Sequence, residues 1–104
     1  MMKKEYNVIV SEAAFVMLDT HMVFLAKVSV NAAKKAKDEI LKDIKSLREN
    51  PHRFPIYENP FITETEYRKM LSAKRYLIFY EISDKTVNVD YIVDCRQNYE
   101  WLIY

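Results

Sequence analysis

Apolar residues along the chain fall into short alternating runs near both ends, with a longer helical pattern between them. Tyr6-Asn7-Val8-Ile9-Val10 is short, rich in β-branched residues and bounded by Ser11, which predicts a strand. Ser11 then suits a helix N-cap, with Glu12 in the first turn, where the helix dipole favours a carboxylate. From Ala14 to Val28 the apolar positions form two adjoining stripes. Phe15, Leu18, Met22 and Leu25 make one; Ala14, Met17, Phe24 and Val28, interrupted by His21, make the other. A helix apolar over that much of its circumference is expected to be largely buried, with His21 as a hydrogen-bonded core residue. Asn31 is the expected cap of a second helix from Ala32 to Glu49, in which Ala33, Ala36, Ile40, Ile44 and Leu47 form one apolar face. Asn50-Pro51 ends it, because asparagine tolerates a left-handed cap and proline cannot continue the ladder.

The three prolines, Pro51, Pro55 and Pro60, mark residues 51–63 as an extended connector. Beyond it, Glu66 to Leu71, Arg75 to Ser83 and Thr86 to Cys95 read as strands joined by short turns, so neighbours run antiparallel. The expected fold is therefore α+β: an N-terminal strand, an antiparallel helix hairpin, then a three-stranded antiparallel meander, with the helices packed on one sheet face. Period two divides the faces. Tyr76, Ile78, Tyr80 and Ile82, with Val87, Val89, Tyr91 and Val93, are expected under the helices. The open face is then expected to carry Leu77, Phe79, Asp90, Ile92, Asp94 and Arg96, joined by Arg68 and Met70 from the preceding strand.

Composition narrows the chemistry. Half of the 104 residues are hydrophobic and 30% are charged, which fits one domain spanning 1–104. Sixteen Lys/Arg against fifteen Asp/Glu leave a net charge of +1, unlike a strongly basic nucleic-acid binder. The lysines of the second helix interleave with Asp38, Glu39 and Asp43, as on a solvated face. Glycine is absent, which excludes phosphate-binding loops and nucleophile elbows built on close backbone approach. One cysteine, Cys95, forbids an internal disulfide and reads as a small buried hydrophobe at a strand end. His21 and His52 have no ligand-spaced neighbours, so neither a metal nor a cofactor is expected. No apolar run approaches a membrane span and no signal peptide is visible, so a cytoplasmic location is expected.

Tyr67-Arg68-Lys69, then Tyr76-Leu77-Ile78-Phe79-Tyr80-Glu81-Ile82, then Tyr91-Ile92-Val93-Asp94-Cys95-Arg96-Gln97, in this order of elements, resemble the RelE/ParE superfamily, the toxins of bacterial toxin–antitoxin (plasmid stabilisation) systems. The resemblance implies a growth inhibitor neutralised by a cognate antitoxin. Its target would be ribosome-bound mRNA in the ribonuclease branch or DNA gyrase in the ParE-like branch; a degenerate, non-toxic member is a third reading. In the ribonuclease branch, basic and tyrosine side chains of the open face activate the 2′-hydroxyl and neutralise the phosphate. The matching candidates here are Arg68, Arg75, Arg96 and Tyr99, with Tyr104 as the other terminal tyrosine. Met70 and Leu77 stand where that branch has basic residues, so the resemblance leans to inhibition by binding. Leu77, Phe79, Ile92, Trp101 and Tyr104 are then the expected partner-binding residues.

Overall fold

The first helix is capped as its sequence predicts. In the computed structural model, which describes residues 5–58 and 64–95, Ser11 Oγ accepts the Ala14 N–H at 3.0 Å and α1 runs Glu12–Ala26. It follows β1, Asn7–Val10. The second helix starts earlier than Asn31 suggests: Ser29 Oγ accepts the Ala32 N–H at 3.1 Å, and α2 runs Val30–Ser46. Asn50 takes the left-handed conformation, φ 48°, and Pro51–Arg53 adds one 3₁₀ turn.

Strands β2 (Arg68–Ser72), β3 (Tyr76–Ser83) and β4 (Thr86–Asp94) form the antiparallel meander. β1 pairs with β4 in parallel, which completes a four-stranded mixed sheet in the order β1-β4-β3-β2. One face is roofed by the helices. Leu18 and Met22 of α1, Ile40 and Ile44 of α2, and Leu47 at the C-cap of α2 pack there on Tyr76, Ile78, Tyr80, Val87 and Val89. The expected α+β architecture and the helix-side placement of Tyr76, Ile78 and Tyr80 hold.

Two registers differ from the expected ones. Met70 pairs with Ile78 and Arg68 with Tyr80, so both belong to the helix side, and Met70 is a core residue, not an open-face one. In β4 the register shifts between Phe79 and Tyr80: Tyr91 opposes Phe79 while Val89 opposes Tyr80, leaving Asp90 as the extra residue of a bulge. Past it the parity inverts. Ile92 enters the core under the helices, and Tyr91 and Val93 turn to the open face.

β1 is too short to cover β4 past Val89, and α1 takes over that edge. Ser11 N–H donates to the Val89 carbonyl at 2.9 Å, and Ser11 Oγ reaches Asp90 O at 3.5 Å. His21 Nε2 donates to Ile92 O at 2.9 Å, so it is hydrogen-bonded as expected, but it is half-buried at the rim and not a core residue. The outer side of α1 does not match its expected burial: Phe15, Val16, Val23 and Phe24 are all exposed. Two layers provide cover for only one side of this helix.

Candidate functional site

The open face of the sheet is built from alternate residues of β2, β3 and β4. Lys69 stands opposite Phe79, Leu71 opposite Leu77, and Tyr91 also opposite Phe79. Phe79 and Val93 are buried at its centre, with Tyr57, Tyr67, Leu77 and Tyr91 packed around them. Tyr57 comes from the proline-rich connector. Its N–H donates to Tyr67 O at 2.7 Å, and Lys69 N–H donates to Pro55 O at 3.1 Å, so residues 55–57 lie along the free edge of β2. That places the Tyr57 ring edge-on against Phe79 at 5.0 Å, with Lys69 Nζ 5.6 Å from the Tyr57 centroid.

Across the face, Tyr67 meets Tyr91 edge-on at 5.8 Å, and its hydroxyl donates to Asp90 Oδ2 at 2.9 Å. Burial, then the hydrogen bond to Asp90 and that carboxylate's charge, push the Tyr67 phenol far above its ordinary pKa. It stays protonated at neutral pH, a hydrogen-bond donor and not a base. Asn88 Nδ2 donates to Glu81 Oε1 at 3.4 Å farther along. Among the described strand positions of this face, Lys69 is the one cation, set against Glu81 and Asp90. Three cations, Lys35, Lys74 and Arg75, instead line a cleft of about 340 Å³ between α2 and the β2–β3 turn, beside Glu39.

Two of the candidate arginines, Arg68 and Arg75, are held apart from the open face. Arg68 extends under the connector, where its guanidinium donates to Phe54 O at 2.7 Å and His52 O at 3.1 Å. Arg75 makes a two-nitrogen contact with Asp94 Oδ2, at 3.0 Å from Nε and 2.8 Å from Nη2, and stacks 5.5 Å from the Tyr76 ring. Of the expected partner-binding residues, Leu77 and Phe79 lie on the open face, but Phe79 is fully covered and only Leu77 is partly accessible. Ile92 is in the helix-side core. Arg96, Tyr99, Trp101 and Tyr104 lie outside the described residues. Sequence parity missed Lys69, Tyr57, Tyr67 and Tyr91. The Ser72–Tyr76 pairing across the β2–β3 turn is the signal that places Lys69 on this face.

Cys95 is exposed at the end of β4, not buried as its residue type suggests. Local desolvation, then the Asp94 carboxylate, raise its thiol above the ordinary value, the opposite of an activated nucleophile. Among the described residues, no three His, Cys, Asp or Glu side chains converge to hold a metal ion, and no helix is long and apolar enough to cross a membrane.

Residues 8–99 match the family described as the ParE toxin of type II toxin-antitoxin system, parDE. No curated protein sequence matches the chain. Among solved structures, the fold is similar to one from P. aeruginosa described as the chromosomal ParDE TA system, at 14% identity and a TM-score of 0.68, over 88% of this chain and 98% of that one. Matched across most of its length, the chain belongs to the ParE toxin family of type II toxin–antitoxin systems, toxins that a cognate antitoxin neutralises.

Proposed function

We propose that this toxin acts by binding, with DNA gyrase as its target, and not by cutting RNA. The open face carries the reading. Cleavage of a phosphodiester needs several donors where charge develops, and losing one typically lowers the rate roughly a hundred- to a thousand-fold. Lys69 is the one cation among that face's described strand positions, and Arg68 and Arg75 are spent on backbone carbonyls and on Asp94. An aromatic surface edged by Leu71, Leu77 and Tyr91 suits recognition of a protein. The antitoxin is proposed to lie across this same face, with Leu71 and Leu77 among its contacts.

The deciding experiment sets two assays beside each other. Purified toxin should inhibit supercoiling by DNA gyrase, and adding the antitoxin should relieve it. In a ribosome-programmed reaction it should leave mRNA uncut. Codon-positioned cuts that vanish in Lys69→Ala, Arg68→Ala or Arg96→Ala would establish the ribonuclease reading instead. Inertness in both assays would identify a non-toxic member of the family. For the antitoxin, Leu71→Asp should weaken the complex at least tenfold; an unchanged complex places the antitoxin elsewhere.

A further inference from the structure

The outward side of α1 has an order that neither the core nor the open sheet face uses. Phe15, Val16, Val23 and Phe24 are 52%, 60%, 56% and 63% exposed, while Ala14, Leu18 and Met22 on the opposite side are buried. These residues read alike from both ends of the helix. About a midpoint between Asp19 and Thr20, Val16 mirrors Val23, Phe15 mirrors Phe24, and Glu12 mirrors Lys27 with opposite charge. At 3.6 residues per turn, Val16 and Val23 fall along the centre of one stripe, and Phe15 and Phe24 fall on its two flanks.

We propose that this stripe is a self-association face, and that its occupant is a second copy of the chain, laid antiparallel about a two-fold axis at Asp19–Thr20. In an isologous contact, each residue meets the residue at the mirrored height. Val16 then packs on the second copy's Val23, and Glu12 meets the second copy's Lys27, twice by symmetry. Opposite charges at mirrored ends favour the antiparallel pairing and oppose a parallel one, which would set like charges together. Local contacts suit the arrangement. The Thr20 hydroxyl donates to Val16 O at 2.8 Å within its own helix, so no hydroxyl is left to be desolvated at the axis. Lys27 Nζ lies 5.9 Å from the Phe24 ring, which keeps the ammonium at the stripe's end. The two Asp19 carboxylates would share one side of the axis, and their repulsion limits the affinity. This association does not depend on the gyrase reading.

Sedimentation equilibrium of the purified chain, from low to several hundred micromolar in dilute salt, tests it. A reversible dimer is expected. Lys27→Glu or Glu12→Lys should weaken it by about tenfold, the double reversal should return it to within about threefold of wild type, and Asp19→Asn should tighten it. Glu12, Asp19 and Lys27 are all exposed, so the fold is retained. In a Cys95→Ser background, chains carrying Val16→Cys mixed with chains carrying Val23→Cys should form a disulfide-linked pair under mild oxidation, while either alone should not. A chain that stays monomeric overturns the proposal. So does a dimer in which the double reversal is no better than the single ones, or in which Val16→Cys cross-links alone. If the face belongs to the antitoxin, the isolated chain is monomeric and Lys27→Glu changes the antitoxin's affinity instead, which also overturns it.

Discussion

At Tyr80 a hydroxyl on a side chain with no exposed surface donates to the Pro51 carbonyl at 2.6 Å, fastening the middle of β3 to the turn after α2. Burial raises this phenol to about 12, although Arg68 and then Arg53 pull the other way. The folded state therefore keeps a proton that the unfolded chain releases near pH 10. Its stabilising contribution is complete below pH 10 and is lost as pH rises towards 12, by up to about 3 kcal/mol. Tyr80→Phe should cost about 1–2 kcal/mol at pH 7, because it orphans a buried carbonyl. The same variant should lose less stability than wild type between pH 10 and 12, as urea denaturation at each pH will report. Tyr76 predicts the opposite response. Its hydroxyl is buried without a hydrogen-bond partner among the described residues, so Tyr76→Phe should leave stability unchanged or raise it by up to about 1 kcal/mol at pH 7. Equal losses in the two variants would show that these hydroxyls are not distinguished by their partners.

Among the elements, the β2–β3 turn shows what a chain without glycine must accept. Ala73 and Lys74 both sit at positive φ, 51° and 61°, and the Arg75 N–H closes the turn on Ser72 O at 3.2 Å. A side chain at such a position costs roughly 1–2 kcal/mol, which glycine avoids. Lys74→Gly should accordingly stabilise the protein by about 1 kcal/mol, or roughly 4–8 °C in melting temperature for a domain of this size. A fall in melting temperature would mean that the Lys74 side chain does more for the fold than its backbone strain costs. The same turn marks where the sequence stops being legible. Strand and helix identities, the Ser11 cap and the left-handed Asn50 were all readable, because each rests on local chemistry. The face presented by Arg68 and Met70 was not, because it depends on the residue at which β2 hands over to the turn, and none of Ser72, Ala73 and Lys74 announces that choice. Asp90 carries no glycine or proline to signal a bulge, yet it moves Ile92 into the core and Tyr91 and Val93 out of it. An apolar outer side on α1 reads as core from sequence alone, since periodicity records that a face is apolar and not which chain covers it.

For the whole molecule, charge distribution bears directly on the choice of target. The first fifty residues hold nine Lys/Arg and seven Asp/Glu, and the rest hold seven and eight, so the half that forms the three-stranded meander is slightly acidic. A protein that grips RNA through many phosphates shows it in salt. With six to ten contacts, affinity falls roughly 10³- to 10⁵-fold between 50 and 200 mM. Here the described open face offers Lys69 beside Glu81 and Asp90, while the cations of α2 interleave with carboxylates along the helix. Binding to a labelled single-stranded RNA, followed by fluorescence anisotropy across that salt range, should therefore be weak. The logarithmic slope should be no steeper than about −2, equivalent to about three phosphates or fewer. Lys69→Ala should reduce the slope by about one phosphate at most, and inhibition of gyrase should keep its strength in that variant to within about threefold, since a single exposed charge contributes little to a protein contact. A slope of about −5 or steeper would require an extended cationic track. Residues 96–104 contribute only Arg96 to such a track, and Glu100 offsets it. The track would then have to run over α2 and the Lys35–Lys74–Arg75 cleft, and the ribosome would become the better target.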